Sequence, residues 1–228
     1  MAAILTLDFD DTVVLENTTR ALLEEFADPA WLAFEADYHA GKLSVEEYNA
    51  KAFDLIDPGV EPTTLEAFVL AHATLREGFL ELLDWAHWNG WMVAIVSNGF
   101  DLAVDAVLDR AGVTRVVRHA GRTKQAYRWR VRYLSPRGIE LVSGFKLAYA
   151  QAFREAGDLV VYAGDGASDV EAARLAHAVF ARSTLLERLD GARERVFPFE
   201  TFGDVVTILE QEGERWLASF SSTTAAEA

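Results

Sequence analysis

Apolar positions along the chain fall into short unbroken runs separated by stretches with helical spacing. The runs are residues 3–9 (AILTLDF), 91–96 (WMVAIV), 159–163 (LVVYA) and 178–181 (AVFA), with Arg195 to Phe197 a weaker fifth. Runs of this length next to turn residues predict strands buried on both faces. Between them, residues 79–88, 101–111, 145–156, 169–176 and 202–217 carry the stripe of amphipathic helices, and Gly112 and Gly157 stand where two of these should stop. Strands alternating with helices predict βαβ units, hence an α/β fold with a Rossmann-like parallel sheet flanked by helices. Residues 15–76 break the alternation. They show helical periodicity over 30–40 and 44–56, and Ser44 with Glu47 predicts a capping box. The pattern therefore predicts a core made of residues 1–14 and 77–228 with a helical domain, 15–76, inserted after the first strand. Residues 219–228 (SFSSTTAAEA) lack a pattern and are expected to fray.

One stretch alternates strictly. Tyr127, Trp129, Val131 and Tyr133 are interleaved with Arg128, Arg130 and Arg132, which predicts a half-buried strand. The turn Ser135-Pro136-Arg137-Gly138 and residues 139–142 complete a predicted β-hairpin over 127–142. Residues 115–137 hold eight basic residues and no acidic one, although the 228-residue chain carries a net charge of −15. Two readings stay open. The charges protect a sheet edge from aggregation, or the arginine face steers anionic substrates or docks on an acidic surface, such as that of a second copy in a homodimer.

Composition narrows the function classes. An excess of acidic residues argues against nucleic acid as a partner, because phosphate neutralisation needs Lys and Arg. No apolar stretch approaches the ~20 residues of a membrane span, and the N-terminus lacks the basic start of a signal peptide. With no cysteine, thiolate metal sites and cysteine nucleophiles are excluded, and a reducing, cytoplasmic location is expected.

The candidate chemistry lies at the strand ends. Three runs end in polar turns: Asp8-Phe9-Asp10-Asp11-Thr12, Ser97-Asn98-Gly99 and Gly164-Asp165-Gly166-Ala167-Ser168-Asp169. In an open parallel sheet these tips face one crevice, where ligands bind. Several carboxylates gathered there need a compensating cation, and Mg2+ suits hard oxygen ligands combined with a phosphate.

These motifs, in this order and with Lys146 opening the helix between the second and the last, resemble those of the haloacid dehalogenase superfamily, in its phosphatase branch. The resemblance implies a Mg2+-dependent phosphomonoester hydrolase acting on a small phosphorylated metabolite. Asp8 would be the nucleophile that forms an aspartyl-phosphate, and Asp10 the general acid and base. Ser97, Asn98, Lys146 and backbone amides near Asp10 and Asp11 would bind phosphate. Asp8, the Asp10 carbonyl and Asp165 would hold the metal, with Asp169 a ligand or the holder of a metal-bound water. Dehalogenases do without the second carboxylate, so Asp10 argues against that chemistry. A phosphotransferase or a non-catalytic phosphate-binding protein on the same scaffold are the alternatives. Bland roles also exist: Ser97 and Asn98 could cap the next helix, Lys146 could be solvated, and Asp169 could face a helix dipole.

The insertion, at residues 40–48 (AGKLSVEEY), and residues 95–104 (IVSNGFDLAV) resemble the subgroup of phosphoserine phosphatases, whose C1-type cap closes over the site. Where that subgroup's cap arginine is expected, residues 49–53 offer only Lys51. The Ser-Asn-Gly turn and residues 178–189 are more similar to the methionine-salvage phosphatases of the same subgroup. Glu16 and Asn17, just after the first motif, are candidate substrate contacts.

Overall fold

The computed structural model describes residues 2–189 and 195–226, with side chains through residue 221. Its centre is one mixed sheet of eight strands in the order β5-β4-β3-β2-β1-β6-β7-β8. The parallel part is β1 (Ala3–Leu7), β2 (Met92–Phe100), β3 (Val117–Gln125), β6 (Leu159–Gly164), β7 (Ala178–Ala181) and β8 (Val196–Pro198). Each expected run supplies one of these strands, with Asp8, Phe9, Trp91 and Arg195 falling just outside the strand ends. β1 sits centrally between β2 and β6 and is buried at every position, as its uninterrupted apolar sequence requires.

The helices α5 (Phe79–Trp88), α6 (Asp101–Arg110), α7 (Phe145–Glu155), α8 (Val170–Leu175), α9 (Ser183–Arg188) and α10 (Phe202–Ala226) flank the sheet. α10 is longer than expected. It extends to Ala226 through most of the stretch expected to fray, while 227 and 228 lie outside the described residues. Phe220 gives this end an anchor, since its ring packs edge-on against His177 at 4.4 Å.

Between β1 and α5 lie α1 (Thr18–Phe26), α2 (Trp31–His39), α3 (Val45–Phe53) and α4 (Pro62–His72). The capping box that opens α3 is formed: the Glu47 amide donates to Ser44 Oγ, and the Ser44 amide donates to the Glu47 carboxylate.

The predicted hairpin differs in its partners. β4 (Trp129–Leu134) does pair with β5 (Glu140–Leu141), but it also pairs antiparallel with β3, Thr123 facing Val131. β3 was not expected, because its sequence (VRHAGRTKQ) has polar residues on both faces and no apolar alternation to mark it. It forms because β2 offers it a parallel partner. Tyr127 does not join the apolar face: it is 97% exposed, in the turn before β4, whereas Trp129, Val131 and Tyr133 are buried.

Candidate active site

The C-terminal ends of β1, β2 and β6 meet, as adjacency in the sheet requires. Asp8 follows β1 directly and is 6% exposed. Lys146, in the first turn of α7, is 3% exposed, and its ammonium lies 2.7 Å from Asp8 Oδ1 and 2.6 Å from Asp169 Oδ1. A bland solvated role for Lys146 is thereby excluded. Asp169 is fully buried and saturated. Its Oδ1 accepts from Lys146 and from the Tyr162 hydroxyl (2.6 Å), and its Oδ2 accepts from the amides of Asp165 and Gly166 at 3.2 and 2.8 Å. Gly164 must lack a side chain, because a Cβ there would lie 2.7 Å from Asp169 Cγ.

Asp165 is partly buried and accepts a hydrogen bond from the Thr12 hydroxyl at 3.1 Å. Asp8, Asp165 and Asp169 each offer a carboxylate oxygen, all within 4.8 Å of one another. Burial raises the pKa of Asp8, and the neighbouring Asp169 and Asp165 add to this against the pull of Lys146. Burial and Asp169 push Asp165 up to about 6. For Lys146 burial works downward, but the charges of Asp169 and Asp8 outweigh it and raise the pKa, so the side chain stays cationic. One ammonium thus faces three carboxylates. The donor set is hard oxygen, and the surplus negative charge fits a divalent cation such as magnesium.

Asp10 is turned toward α1. Its Oδ1 accepts from the Thr18 amide at 3.0 Å and the Thr18 hydroxyl at 2.5 Å, and its Oδ2 from the Thr19 amide at 3.3 Å. Burial raises its pKa and these donors oppose the rise. Gly99 lets this packing occur, since a Cβ would lie 3.1 Å from both Asp10 Oδ2 and Ser97 Oγ. Ser97 is buried, and its Oγ accepts from the Gly99 amide at 2.9 Å, which leaves the hydroxyl proton to donate. The Asn98 side chain is committed elsewhere: its Nδ2 donates to Glu46 Oε1 at 3.1 Å. Its carbonyl accepts from Asn49 Nδ2 and the Tyr133 hydroxyl at 2.7 and 2.5 Å. The backbone amide of Asn98 therefore remains its candidate contact to phosphate. The Asp11 amide is also committed, donating to the Glu16 carbonyl at 3.2 Å.

A cavity of about 250 Å³ lies over these groups, walled on its far side by α1, α2 and α3. Asn17 lines it, capping α1 through the Arg20 amide and donating to Asp11 Oδ2 at 3.0 Å. Glu16 and Lys51 are not among the lining residues. The Glu16 carboxylate accepts from the Thr74 amide at 2.7 Å, and the Lys51 ammonium sits over the Phe34 ring at 5.6 Å. Glu16 was a candidate substrate contact from its place just after the first motif and Lys51 from its place where the resembled subgroup's cap arginine is expected, and both are directed to other partners.

Several groups escaped the sequence reading. Glu46 is a buried carboxylate that bridges Asn98 Nδ2 and the Phe145 amide (2.8 Å), tying α3 to the loop before Lys146. Arg76, 7% exposed, donates to the carbonyls of Thr12, Asp11 and Glu200 at 2.6, 2.7 and 3.1 Å. It thereby clamps the loop in which Asp11 holds a left-handed backbone, φ 58°. Thr18 and Thr19 had a usable signal, since the helix start at Asn17 exposes free amides next to Asp10. Glu46 and Arg76 had none, because only the fold shows that they are buried.

Two of the three arginines of the alternating face are paired within the chain: Arg128 meets Asp54 at 3.0 Å and Arg132 meets Glu140 at 2.9 Å.

A model of the haloacid dehalogenase-like hydrolase family matches residues 5–174. The 2-hydroxy-3-keto-5-methylthiopentenyl-1-phosphate phosphatase of Bacillus velezensis is 29% identical over 217 residues, covering 92% of each chain. That of Brevibacillus brevis is 26% identical, covering 91% of this chain and 95% of its own. Among solved structures, a substrate-bound phosphoserine phosphatase complex superposes with a TM-score of 0.68 at 19% identity, covering 91% of this chain and 98% of its own. A phospho-aspartyl intermediate analogue of phosphoserine phosphatase gives the same TM-score at 20% identity and the same coverage.

Proposed function

The chain belongs to the haloacid dehalogenase-like hydrolase family and is a phosphatase of it, and we propose that it hydrolyses its ester through an aspartyl-phosphate formed on Asp8. The observation that carries this reading is the Asp8 carboxylate at the tip of the central strand, held by Lys146 at 2.7 Å beside a buried acid, Asp10.

Lys146 engages Asp8 Oδ1, which leaves Oδ2 to attack phosphorus in line. As the new O–P bond forms, the ester P–O bond breaks and Asp10 gives its proton to the departing alkoxide. Burial, by raising the Asp10 pKa, keeps that proton available, and Thr18 and Thr19 orient the carboxyl. With the alcohol gone, the Asp10 carboxylate takes a proton from water. The resulting nucleophile attacks phosphorus, the bond to Asp8 breaks, and inorganic phosphate leaves. Ser97 Oγ–H, the Asn98 amide and Lys146 hold the phosphoryl oxygens, a fixed donor set of the kind that dominates phosphoryl transfer. Asp8, Asp165 and the Asp10 carbonyl would hold magnesium, with Asp169 fixing Lys146 and the 165–166 loop beside it. When bound, the ion neutralises charge on the transferring phosphoryl group. Asp8, Asp10, Lys146 and Asp165 are all at the site, so no observation favours a non-catalytic protein.

As the substrate we propose 2-hydroxy-3-keto-5-methylthiopentenyl-1-phosphate, the ester named for the relatives above, supported by similarity over nine-tenths of the chain. The position of Lys51 supports the same choice over phosphoserine, because it supplies no cation to the cavity. We assign α1–α4 (15–76) as the cap over a core of 1–14 and 77–228. No described helix is long and apolar enough to cross a membrane, and the absence of cysteine supports a cytoplasmic location. With Arg128 and Arg132 paired internally, the arginine face lends a homodimer no support.

The test is p-nitrophenyl phosphate turnover with and without Mg2+, then a panel of phosphorylated metabolites, alongside Asp8→Asn. The expected result is Mg2+-dependent turnover, loss of it in D8N, and an acid-stable label on Asp8 from a ³²P-labelled ester. An inert wild-type protein, or an active D8N, would overturn the reading.

A further inference from the structure

The leaving group must lie beside Asp10, which protonates it. Asp10 is held by Thr18 and Thr19, and the next residue, Arg20, lines the same cavity. Arg20 is therefore on the leaving-group side of the site. Arginine and lysine enter the cavity lining, among the described residues, only as Arg20 and Lys146. Lys146 is committed to Asp8 and Asp169, so Arg20 is the cation that could read a charged leaving group.

Arg20 is masked. Its Nε donates to Glu24 Oε1 at 2.8 Å, and its Nη1 donates to Glu35 Oε1. Glu35 reaches in from α2, lines the cavity, and has only 16% of its side chain exposed. The guanidinium also rests over the Trp31 ring at 5.5 Å. Within the wall itself Glu35 cancels the charge of Arg20, and Glu24 holds the guanidinium from the exposed side. Next to it, Tyr38 and Tyr48 line the cavity as a stacked pair 5.5 Å apart. A hydroxyl, ketone or aliphatic group can be accommodated against such a wall. A carboxylate meets Glu35 and finds the guanidinium of Arg20 and the ammonium of Lys146 both already paired.

We propose that the Arg20–Glu35 pair is a specificity element that selects phosphoesters with uncharged leaving groups and rejects those bearing a carboxylate. The proposal rests on the phosphatase reading and on Asp10 marking the leaving-group side. Rejection by a like charge together with an occupied partner is how a site discriminates without losing affinity for the accepted ligand.

Glu35→Gln tests it, because glutamine keeps the shape and can still accept from Arg20 while removing the charge. The probes are 2-phosphoglycolate, whose leaving group carries a carboxylate, and glycerol 1-phosphate, whose leaving group does not. The ratio of kcat/KM for the first over the second should rise about tenfold in E35Q, the factor that one net charge-assisted contact gives. In the double variant R20Q/E35Q the gain should vanish, since the receptor is gone. Turnover of p-nitrophenyl phosphate and the thermal midpoint report whether each variant is folded and competent. An unchanged ratio in a competent E35Q overturns the proposal. A gain that survives in R20Q/E35Q overturns Arg20 as the receptor. A wild-type protein that hydrolyses no phosphoester would overturn the phosphatase reading itself, and this inference with it.

Discussion

Replacing Asp165 by Asn should make the metal-free protein more stable while abolishing its response to magnesium. In the folded chain Asp165 is pushed up to about 6 from an ordinary 3.8, by burial and by the charge of Asp169. A carboxyl whose folded pKa lies above its unfolded one binds its proton more tightly in the native state. Below the unfolded value there is no penalty. Stability then falls as pH rises from about 4 to about 6, and above that the whole penalty is present. The full gap corresponds to about 3 kcal/mol, and partial exposure of Asp165 reduces it, so about 1–3 kcal/mol is expected at pH 7.5. Asn keeps an acceptor for the Thr12 hydroxyl (3.1 Å in the native protein) and removes the charge. In a domain of this size each kcal/mol moves Tm by about 2–4 °C, which thermal denaturation in EDTA resolves. The advantage of D165N should shrink to about half by pH 5, where the native carboxyl is already mostly protonated. Added Mg2+ should raise Tm of the wild type, by about 2.7 kcal/mol of stabilisation at a hundredfold excess over Kd, more at pH 7.5 than at pH 5, and leave D165N nearly unmoved. A D165N protein less stable than wild type in EDTA at pH 7.5, or an equal Mg2+ shift in both, would refute the reasoning.

Lys146→Met removes the one ammonium set against Asp8 and Asp169. Breaking a buried pair from one side typically costs about 3–5 kcal/mol, and here the loss should lessen as pH falls and Asp8 takes up a proton; denaturant unfolding at pH 5 and 8 measures both. Gly99→Ala puts a methyl 3.0–3.1 Å from Thr19 Oγ1, Asp10 Oδ2 and Ser97 Oγ. Its kcat should fall at least about tenfold, with a smaller effect on stability, since a small displacement at the reacting groups is enough to slow the chemistry; steady-state kinetics beside a melt separate the two. Changing Arg128, Arg130 and Arg132 together to Ser should leave the salt dependence of kcat/KM unchanged, because Arg128 and Arg132 are already neutralised by Asp54 and Glu140. Exposed pairs of this kind contribute about 0–1 kcal/mol each, so the triple variant should melt only slightly earlier, and a kcat/KM that loses its salt sensitivity would restore substrate steering.

The chain order of motifs was enough to identify the chemistry. Strands β1, β2 and β6 are written as unbroken apolar runs because both their faces are covered, and a parallel sheet brings their C-terminal ends together whatever the connections between them. Asp8, Ser97 and Asp165 were legible for that reason, whereas Lys146, which opens a helix, was marked only by the order of motifs in the family that the chain resembles. Strand β3 was not, since its polar sequence becomes a strand only through the edge that β2 offers it. Nor were the partners of the motif residues. Whether a carboxylate such as Glu46 or a guanidinium such as Arg76 is buried, and what it meets there, depends on contacts between segments far apart in sequence, Glu46 with Phe145 and Arg76 with Glu200. Glu16 and Asn17 were chosen by proximity along the chain and Lys51 by its place in the cap that the chain resembles, but only the packing of the helices turned Asn17 into the cavity, sent Glu16 to the Thr74 amide and Lys51 to the Phe34 ring, and brought Arg20 and Glu35 together on its wall. Local sequence dictates hydrogen-bonding period and turn chemistry; long-range packing dictates which charges lose their water, and with it which of them do chemistry.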